Sequence, residues 1–507
     1  MSARHLIIAC YLVVAISMVA LFEFTLNQSF IGSDDAYIHL RYIDNLRAGR
    51  GFGFNPGKPS NGSTSPLWVL IAAAITRHAP DLLQAVKILS TILFVASAFI
   101  FFVLSRRLAC SSTLAALATS IYVSDPWLLK WAGSAMETSL TSLILLLSVY
   151  FMLTSDKCFH LLFASFLLGL ATLARPEAAL LFCLFLLLQI TTRESLSGKL
   201  GRTVVALTVY LFALLPWLVF ACKTFGSPVP NTFAAKTVAS QASIWAVGWY
   251  FLRIIGITYW PWLLTGAGCI FAAFRTPGIS PRLGVQNRVI VLLWVWCAIV
   301  PAFYAFSKLQ TPSTRYLQVI IPLLIATGFY CLVRLASSIS PSKVYSHLVL
   351  ALVGIAVILY NIALNAGIVL PSSHDFSEGV LKTYQSVGEW LASNTPEDSR
   401  IAVAIDVGTI AYYSNREIID LGGLNTPEVI PYLPDGLNYV FVSKPEWLVV
   451  TGENNKYALL SQSRFRKIAV PVISFHADLG LRAEADRMTG GSTRYDYYVS
   501  VYRLQWP

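Results

Sequence analysis

Charge is what this 507-residue chain has least of. Asp, Glu, Lys and Arg make up only 12% of it, while 56% is apolar and the mean hydropathy is +0.63. An ordinary soluble protein carries roughly twice that charged share, so a soluble class is excluded for most of the chain. The scarcity is uneven: residues 1–370 hold 25 basic against 10 acidic side chains, and residues 371–507 hold 12 basic against 16 acidic. Cysteine is missing from the second part altogether. All eight (Cys10, Cys110, Cys158, Cys183, Cys222, Cys269, Cys297, Cys331) lie in or beside apolar segments, with no readable disulfide framework or zinc spacing. Internal repeats, low-complexity tracts and a full dinucleotide fingerprint are also lacking. The net charge of +11 comes without a basic stripe interleaved with aromatics, which excludes a nucleic-acid partner and points to membrane topology.

What is present is a series of apolar stretches, near 6–27, 84–105, 111–124, 138–154, 160–174, 178–192, 203–222, 256–274, 289–306, 317–334 and 346–368. Set against roughly 30 Å of hydrocarbon they predict about eleven transmembrane helices. The first follows Arg4 and His5, and because no small-x-small cleavage site closes it, a retained helix is favoured over a signal peptide. With the N-terminus inside, Arg106, Arg107, Lys157, Arg193, Arg275 and Arg334 fall in inner loops, satisfying the positive-inside rule. An odd number of spans then sets a soluble domain, residues 371–507, outside a membrane domain of residues 1–370. The tail reads as α/β. Val380, Tyr384, Val387 and Leu391 recur at helical spacing near 376–394, and strand-length apolar runs follow at 400–406 and 446–452.

The same bookkeeping gathers the polar chemistry on the outer side. In the first outer loop, 30–82, the stretch "IGSDDAYIHLRYIDNLRAGRGFGFNPGKPSNGSTSPLW" offers Ser33 or Asp34 as an N-cap and an apolar stripe of Ala36, Leu40, Ile43 and Leu46. It predicts a short helix along the outer membrane interface. Helical geometry puts Asp35, His39 and Tyr42 on one face, and Asp34, Ile38 and Arg41 on another. One Asp suffices for a cap, so a second makes Asp34 or Asp35 a candidate catalytic carboxylate. Asp35 and His39 at i, i+4 are also candidate metal ligands, but two ligands are too few to name a metal.

"KTFGSPVPNTFAAK" (223–236) contributes Asn231, Thr232 and Lys236, and "SKLQTPSTRYLQVIIP" (307–322) contributes Lys308, Arg315 and Tyr316. A single outer cation is explained by snorkelling to the interface. Several together suggest a clamp for a phosphate held at headgroup level, as a lipid-linked sugar would present it. Glu137 in "SAMETSL", and Arg175 and Glu177 in "LARPEA", sit at helix turns. They read more readily as structural, Glu137 complementing a helix dipole and Arg175 with Glu177 tying two helices together.

Taken in order from about residue 30 to 430, "DDAYIHLRYIDNLRAGRGFGFNPG…NGSTSPLW", "AMETSL", "ARPEA", "FGSPVPNTFAAK", "STRYLQVIIP" and "IAVAIDVGTIAYYSNREIIDLGGLNTPE" resemble the multi-spanning C-type (GT-C) glycosyltransferases. The nearest likeness is to cell-wall arabinofuranosyltransferases that use decaprenyl-phosphoarabinose, and to related bacterial enzymes that decorate surface proteins. The resemblance implies a catalytic Asp in the first outer loop, here Asp34 or Asp35, a periplasmic C-terminal domain, and a donor pocket lined by Asn231, Lys236, Arg315 and Tyr316. His39, Arg41, Glu137, Arg175 and Glu177 are further pocket candidates.

The reaction so implied is a direct displacement at the anomeric carbon. An Asp removes the proton of an acceptor hydroxyl, Lys236 and Arg315 neutralise the departing polyprenyl phosphate, and a bridging divalent cation (Mg, Mn or Ca) is left open. The expected setting is a bacterial inner membrane, with membrane lipids around the chain and a glycan or a secreted, pilin-like protein as acceptor. Arabinofuranose is the sugar the resemblance favours, ahead of mannose or an aminosugar. Two other classes carry different expectations: a flippase for lipid-linked sugars, with related halves and mid-membrane charges, and a scaffold without activity.

Overall fold

The structure, a computed structural model, describes residues 33–109, 111–153, 157–191, 194–239, 242–275, 285–308, 313–339, 342–404, 406–453, 455–478 and 496–507, with scattered positions before 33. Most of the first expected span, 6–27, lies outside the described residues.

The chain is a multi-pass helical membrane protein with a small α/β domain at its C-terminal end. The polar loop helix α1 (Asp34–Arg47) and α2 (Pro66–Ile75) open the described chain. The bundle follows, from α3 (Leu82–Ala109) through α4 (Ser112–Val123), α5 (Pro126–Ala132), α6 (Thr138–Met152), α7 (Cys158–Ala174), α8 (Ala178–Ile190) and α9 (Leu196–Phe225). It continues with α10 (Asn231–Ala239), α11 (Ile244–Thr258), α12 (Trp260–Arg275), α13 (Val285–Phe306), α14 (Ile321–Ile339) and α15 (Lys343–Leu364).

Among the described residues, five helices are long and apolar enough to cross a membrane, and α11 with α12 make a sixth if that pair, bent by 86°, is one span. Each expected span after the first coincides with an apolar helix, but α4, α6, α7 and α8 have only 12, 15, 17 and 13 residues. At about 1.5 Å per residue these cover roughly 18–26 Å, less than a hydrocarbon core. The helix α2 was not foreseen: its ten apolar residues are too short a run for a span and lie inside the loop read as polar.

Lipid-type packing rules hold the bundle together. A Cβ added at Gly169 of α7 would come within 2.6 Å of the Ala213 Cβ and 3.0 Å of the Tyr210 carbonyl on α9, so only glycine allows that approach. Hydroxyls inside the helices are satisfied locally, as where Ser148 and Ser165 donate to the carbonyls four residues back, each at 2.8 Å. Gly226, at φ 74°, ends α9 in the left-handed conformation that glycine tolerates.

The tail sheet has the order β2-β1-β3-β5-β4. Here β1 is Arg400–Val403, β2 Glu417–Asp420, β3 Trp447–Glu453, β4 Ala469–Asp478 and β5 Asp496–Leu504. The first three strands pair in parallel and the last two are added antiparallel. β1 and β3 fall where the two apolar runs were read. The boundary placed at residue 370 lies inside an unbroken helix, Val344–Asn394, which passes from the bundle into the tail through π-helical turns at Asn365–Val369 and Phe376–Leu381. Its last stretch, α16 (Lys382–Asn394), is the amphipathic helix the spacing predicted.

The loop helix α1 is covered on more than its apolar stripe: ten of its fourteen residues are buried, and the tail bonds the face that carries Asp34 and Arg41. Arg41 donates from Nη1 to the Ala411 carbonyl (2.9 Å), from Nη2 to the Arg416 carbonyl (2.7 Å) and from Nε to the Phe54 carbonyl (3.2 Å). Asn55 bonds Ile418 on edge strand β2 in both directions, at 2.8 and 3.0 Å. Ser33 takes the N-cap position without making a side-chain capping bond.

Candidate active site

Three loops are stitched together before any functional group is set. Asn61 accepts from the Asn231 backbone N–H (2.8 Å) through its carbonyl and donates from its amide to the Ser227 and Val229 carbonyls. Thr232 Oγ1 donates to the Gly62 carbonyl at 2.6 Å. These bonds fix α10, which carries Lys236, against the first loop. The turn before α6 holds Ala135 at φ 60°, a left-handed conformation costing a non-glycine residue roughly 1–2 kcal/mol. Trp68 Nε1 donates to its carbonyl at 3.3 Å, and the next two residues, Met136 and Glu137, enter the site. A 3-10 turn at Thr314–Leu317, capped by Ser313 Oγ, presents Arg315 and Tyr316.

The charged groups then form one connected array. Arg315 Nη1 lies 2.6 Å from Asp35 Oδ2, and Arg315 Nη2 donates to Tyr316 Oη at 3.3 Å. Lys236 Nζ donates to the same phenol at 3.4 Å. Arg175 bridges Glu137 (2.8 Å) and Glu177 (3.1 Å), and its guanidinium stands over the Tyr316 ring at 5.3 Å. His39 Nε2 is 3.4 Å from Glu137 Oε2, and its Nδ1 is 3.4 Å from Ser63 Oγ. Burial alone would raise the Asp35 carboxyl, but Arg315 and then Lys236 outweigh it and hold the group at about 2. Burial likewise opposes ionisation of Tyr316, yet Lys236 and Arg315 draw its phenol below the ordinary value.

Two cavities meet at these cations. A polar one is lined by Asp35, His39, Ser63, Met136 and Glu137, among others. An apolar one is lined by Leu173, Leu180, Leu214, Trp217, Phe233 and Phe303, together with Arg175, Glu177, Tyr304 and Tyr316. Thr64, Thr232, Lys236 and Arg315 line both. Arg315 Nε and Glu177 Oε2 are buried there without a hydrogen-bond partner among the described residues, an arrangement that a polar ligand would complete.

Of the residues singled out in the sequence, Asp35, His39, Glu137, Arg175, Glu177, Lys236, Arg315 and Tyr316 are thus brought together. Asp34, Arg41, Asn231 and Lys308 line neither cavity. Asp34 accepts from the Gly408 N–H (2.6 Å), the Thr409 N–H (2.7 Å) and Thr409 Oγ1 (2.7 Å) in the tail. Burial and its nearness to Asp406 push the Asp34 carboxyl up, against the pull of those bonds.

Asp406, which had no role in the sequence reading, accepts from Tyr384 Oη at 2.7 Å, and its carboxyl is raised by burial and by the nearby acids. The fit of Asp35 and His39 to a divalent cation is poor: Asp35 faces Arg315, and His39 faces Glu137 and Ser63. Among the described residues no three His, Cys, Asp or Glu side chains gather as a ligand set. Thr64, Met136 and Leu424, an apolar residue contributed by the tail, also line the polar cavity; each lies inside a motif that carries the family resemblance, where none stood out as a site residue.

Comparison with known proteins bears on this geometry. A family described as a domain of unknown function (DUF8728) matches residues 378–502, essentially the tail. The terminal β-(1→2)-arabinofuranosyltransferase of Corynebacterium glutamicum is 29% identical over 312 residues, 54% of this chain and 43% of that protein. The matched region therefore spans less than half of that relative's length. Among solved structures, ArnT from Cupriavidus metallidurans bound to undecaprenyl phosphate superposes with a TM-score of 0.58 at 12% identity, covering 96% of this chain and 97% of that one. Its apo state gives 0.59 at 13% identity over 98% of each chain. An oligosaccharyltransferase of Archaeoglobus fulgidus, in complex with Zn and sulfate, gives 0.54 at 12% identity over 86% of this chain and 67% of that one. The fold is that of the C-type glycosyltransferases, as the sequence motifs implied. Within that class the chain is similar to arabinofuranosyltransferases.

Proposed function

We propose that this chain is a membrane glycosyltransferase that moves a sugar from a polyprenyl-phosphate carrier to an acceptor hydroxyl on the outer side of a bacterial inner membrane. In this reading the N-terminus is cytoplasmic, the tail is periplasmic, and arabinofuranose is the favoured sugar. The observation that carries it is the junction of the two cavities at Lys236 and Arg315. A lipid-linked sugar has three parts in series: an apolar chain, a phosphate and a polar ring. An apolar cavity, a pair of cations and a polar cavity follow one another in the same order. The complex of ArnT with undecaprenyl phosphate supports the same class of donor.

Asp35 then acts as the general base. It takes the proton of the acceptor hydroxyl, the acceptor oxygen forms a bond to the anomeric carbon, and the carbon–oxygen bond to phosphate breaks with its electron pair leaving on the phosphate. Lys236 and Arg315 stabilise that charge. A carboxylate held at about 2 is a weak base. Arrival of the donor phosphate draws Arg315 toward itself and so raises the basicity of Asp35 when the substrate is in place. Tyr316 accepts from both cations and so ties them to one point of the site.

The test pairs loss of the protein from cells with its purification. Mass spectrometry of the envelope is expected to show a missing pentose or hexose, and the pure protein is expected to transfer that sugar from its polyprenyl phosphate. Absence of transfer from pentosyl, hexosyl and aminosugar donors alike would sink the reading. Assays with and without a chelator decide whether Mg, Mn or Ca takes part.

A further inference from the structure

We propose that the tail segment 420–426 belongs to the glycosyl-binding site, with Leu424 packing against the carbon face of a sugar ring. The inference rests on the glycosyltransferase reading and gives the tail domain a task in it.

Position carries it first. Leu424 lines the polar cavity together with Asp35, Ile38, His39 and Gly62, and it does not line the apolar cavity. The residues common to both cavities are those around Lys236 and Arg315, where a phosphate would sit. Leu424 therefore belongs to the sugar side of the phosphate and away from the lipid chain. It is half-buried and, among the described residues, is the tail's sole contribution to a wall otherwise built by the membrane body. Sugar rings offer hydroxyls at the rim and C–H groups on the face, so a cavity of charged and hydroxyl groups with Ile38, Met136 and Leu424 as its apolar lining matches them.

The segment is also built to hold that position. Asp420, fully buried, accepts from the Gly422 N–H (2.9 Å), the Asn425 N–H (2.8 Å) and Asn425 Nδ2 (3.0 Å). Asn425 Oδ1 in turn accepts from Tyr42 Oη (3.1 Å), on the same helix as Asp35 and His39, and Tyr42 Oη accepts from the Gly62 N–H (3.0 Å). Gly423 takes φ 76°, and a Cβ there would stand 3.6 Å from Ala235, the neighbour of Lys236. Four connected buried groups thus register Leu424 against both the candidate base and the cation helix. An element that only tethered the tail would not need a side chain in the cavity.

Donor and acceptor both bring a sugar ring, and the experiment separates them. Full-length protein in detergent is given decaprenyl-phosphoarabinofuranose and an octyl arabinofuranoside acceptor, and the affinity for decaprenyl phosphate without sugar is measured by competition. Leu424→Ala is expected to raise the KM of the donor or of the acceptor about tenfold. The affinity for decaprenyl phosphate should stay within about twofold of the wild type. Leu424→Gln, which keeps the volume and loses the apolar contact, is expected to shift the same KM in case the alanine variant folds poorly. Unchanged KM for both substrates overturns the proposal, as does an equal weakening for the sugar-free lipid. If the wild type transfers nothing, the enzymatic reading fails separately, and saturation-transfer NMR with methyl arabinofuranoside then tests the wall. Ring binding lost in L424A supports it, and equal binding overturns it.

Discussion

Asp34 and Asp35, neighbours in the chain, are claimed by opposite halves of the molecule. Asp34 accepts from Gly408 and Thr409 of the tail, while Asp35 pairs with Arg315 of the bundle at 2.6 Å. The helix that carries them is therefore gripped from both sides, and the two carboxylates are expected to fail in different ways. Asp35→Asn should lower transfer by about 10²–10⁴-fold with normal insertion. Asp34→Ala should leave two buried N–H groups unpaired, at about 1–3 kcal/mol, and appear as a lower unfolding temperature in detergent and faster proteolysis of the tail. Full transfer in Asp35→Asn would remove the assignment of the base.

The ion pair also fixes a pH dependence. Arg315 and Lys236 hold Asp35 at about 2, below the ordinary carboxylate value. Its contribution to stability is complete above the unfolded value of 3.8 and is lost as pH falls from there through about 2. In the wild type, kcat/KM should thus have no acid limb from Asp35 at mildly acidic pH. Removing the cation removes what stabilises the anion, so Arg315→Gln should bring an acid limb up into the ordinary carboxylate range. An acid limb that stays put in Arg315→Gln would show that Asp35 does not set it.

Lys236 is expected to act on the donor alone. A charge-assisted bond contributes about 1.5–3 kcal/mol, so Lys236→Ala should raise the donor KM by at least about tenfold, with Lys236→Arg recovering part of it. The acceptor KM should hold. A competition assay with decaprenyl phosphate reads the same loss directly, and undiminished affinity would remove Lys236 from the clamp.

Glu137 and Arg175 are both buried, at 2.8 Å from each other. Taking one partner from such a pair costs about 3–5 kcal/mol, because the other charge is stranded. Glu137→Ala and Arg175→Ala should each lower the unfolding temperature, and the double variant should be less than additive. Strict additivity would mean that the pair is not coupled.

Much of this site could be read before any fold was known, because helical spacing alone separates Asp35 and His39 from Asp34 and Arg41, and the structure sends the first two to the bundle and the second two to the tail, although Tyr42 and Ile38 cross that division. Lys236 and Arg315 stood out as cations where lipid topology gives no reason for them. Their meeting was harder to see. Glu137 and Arg175 each had an adequate local explanation as helix-turn residues, and only the approach of α6 and α7 makes them one pair beside His39. The burial of α1 was invisible for a similar reason: its stripe of Ala36, Leu40, Ile43 and Leu46 accounts for one covered face, and the second cover comes from residues some 370 positions later. Asn231 shows the opposite error. It lies in a legible motif, yet what holds the first loop is its backbone, and the neighbouring Thr232 lines the cavity.

The helix from Val344 to Asn394 runs 51 residues without a break, about 75 Å at 1.5 Å per residue. A tail mounted on such a strut has no slack chain in which to swing. The two π-helical turns fall where this strut leaves the bundle, and the bonds from Asp34, Arg41 and Asn55 brace the sheet at its far end.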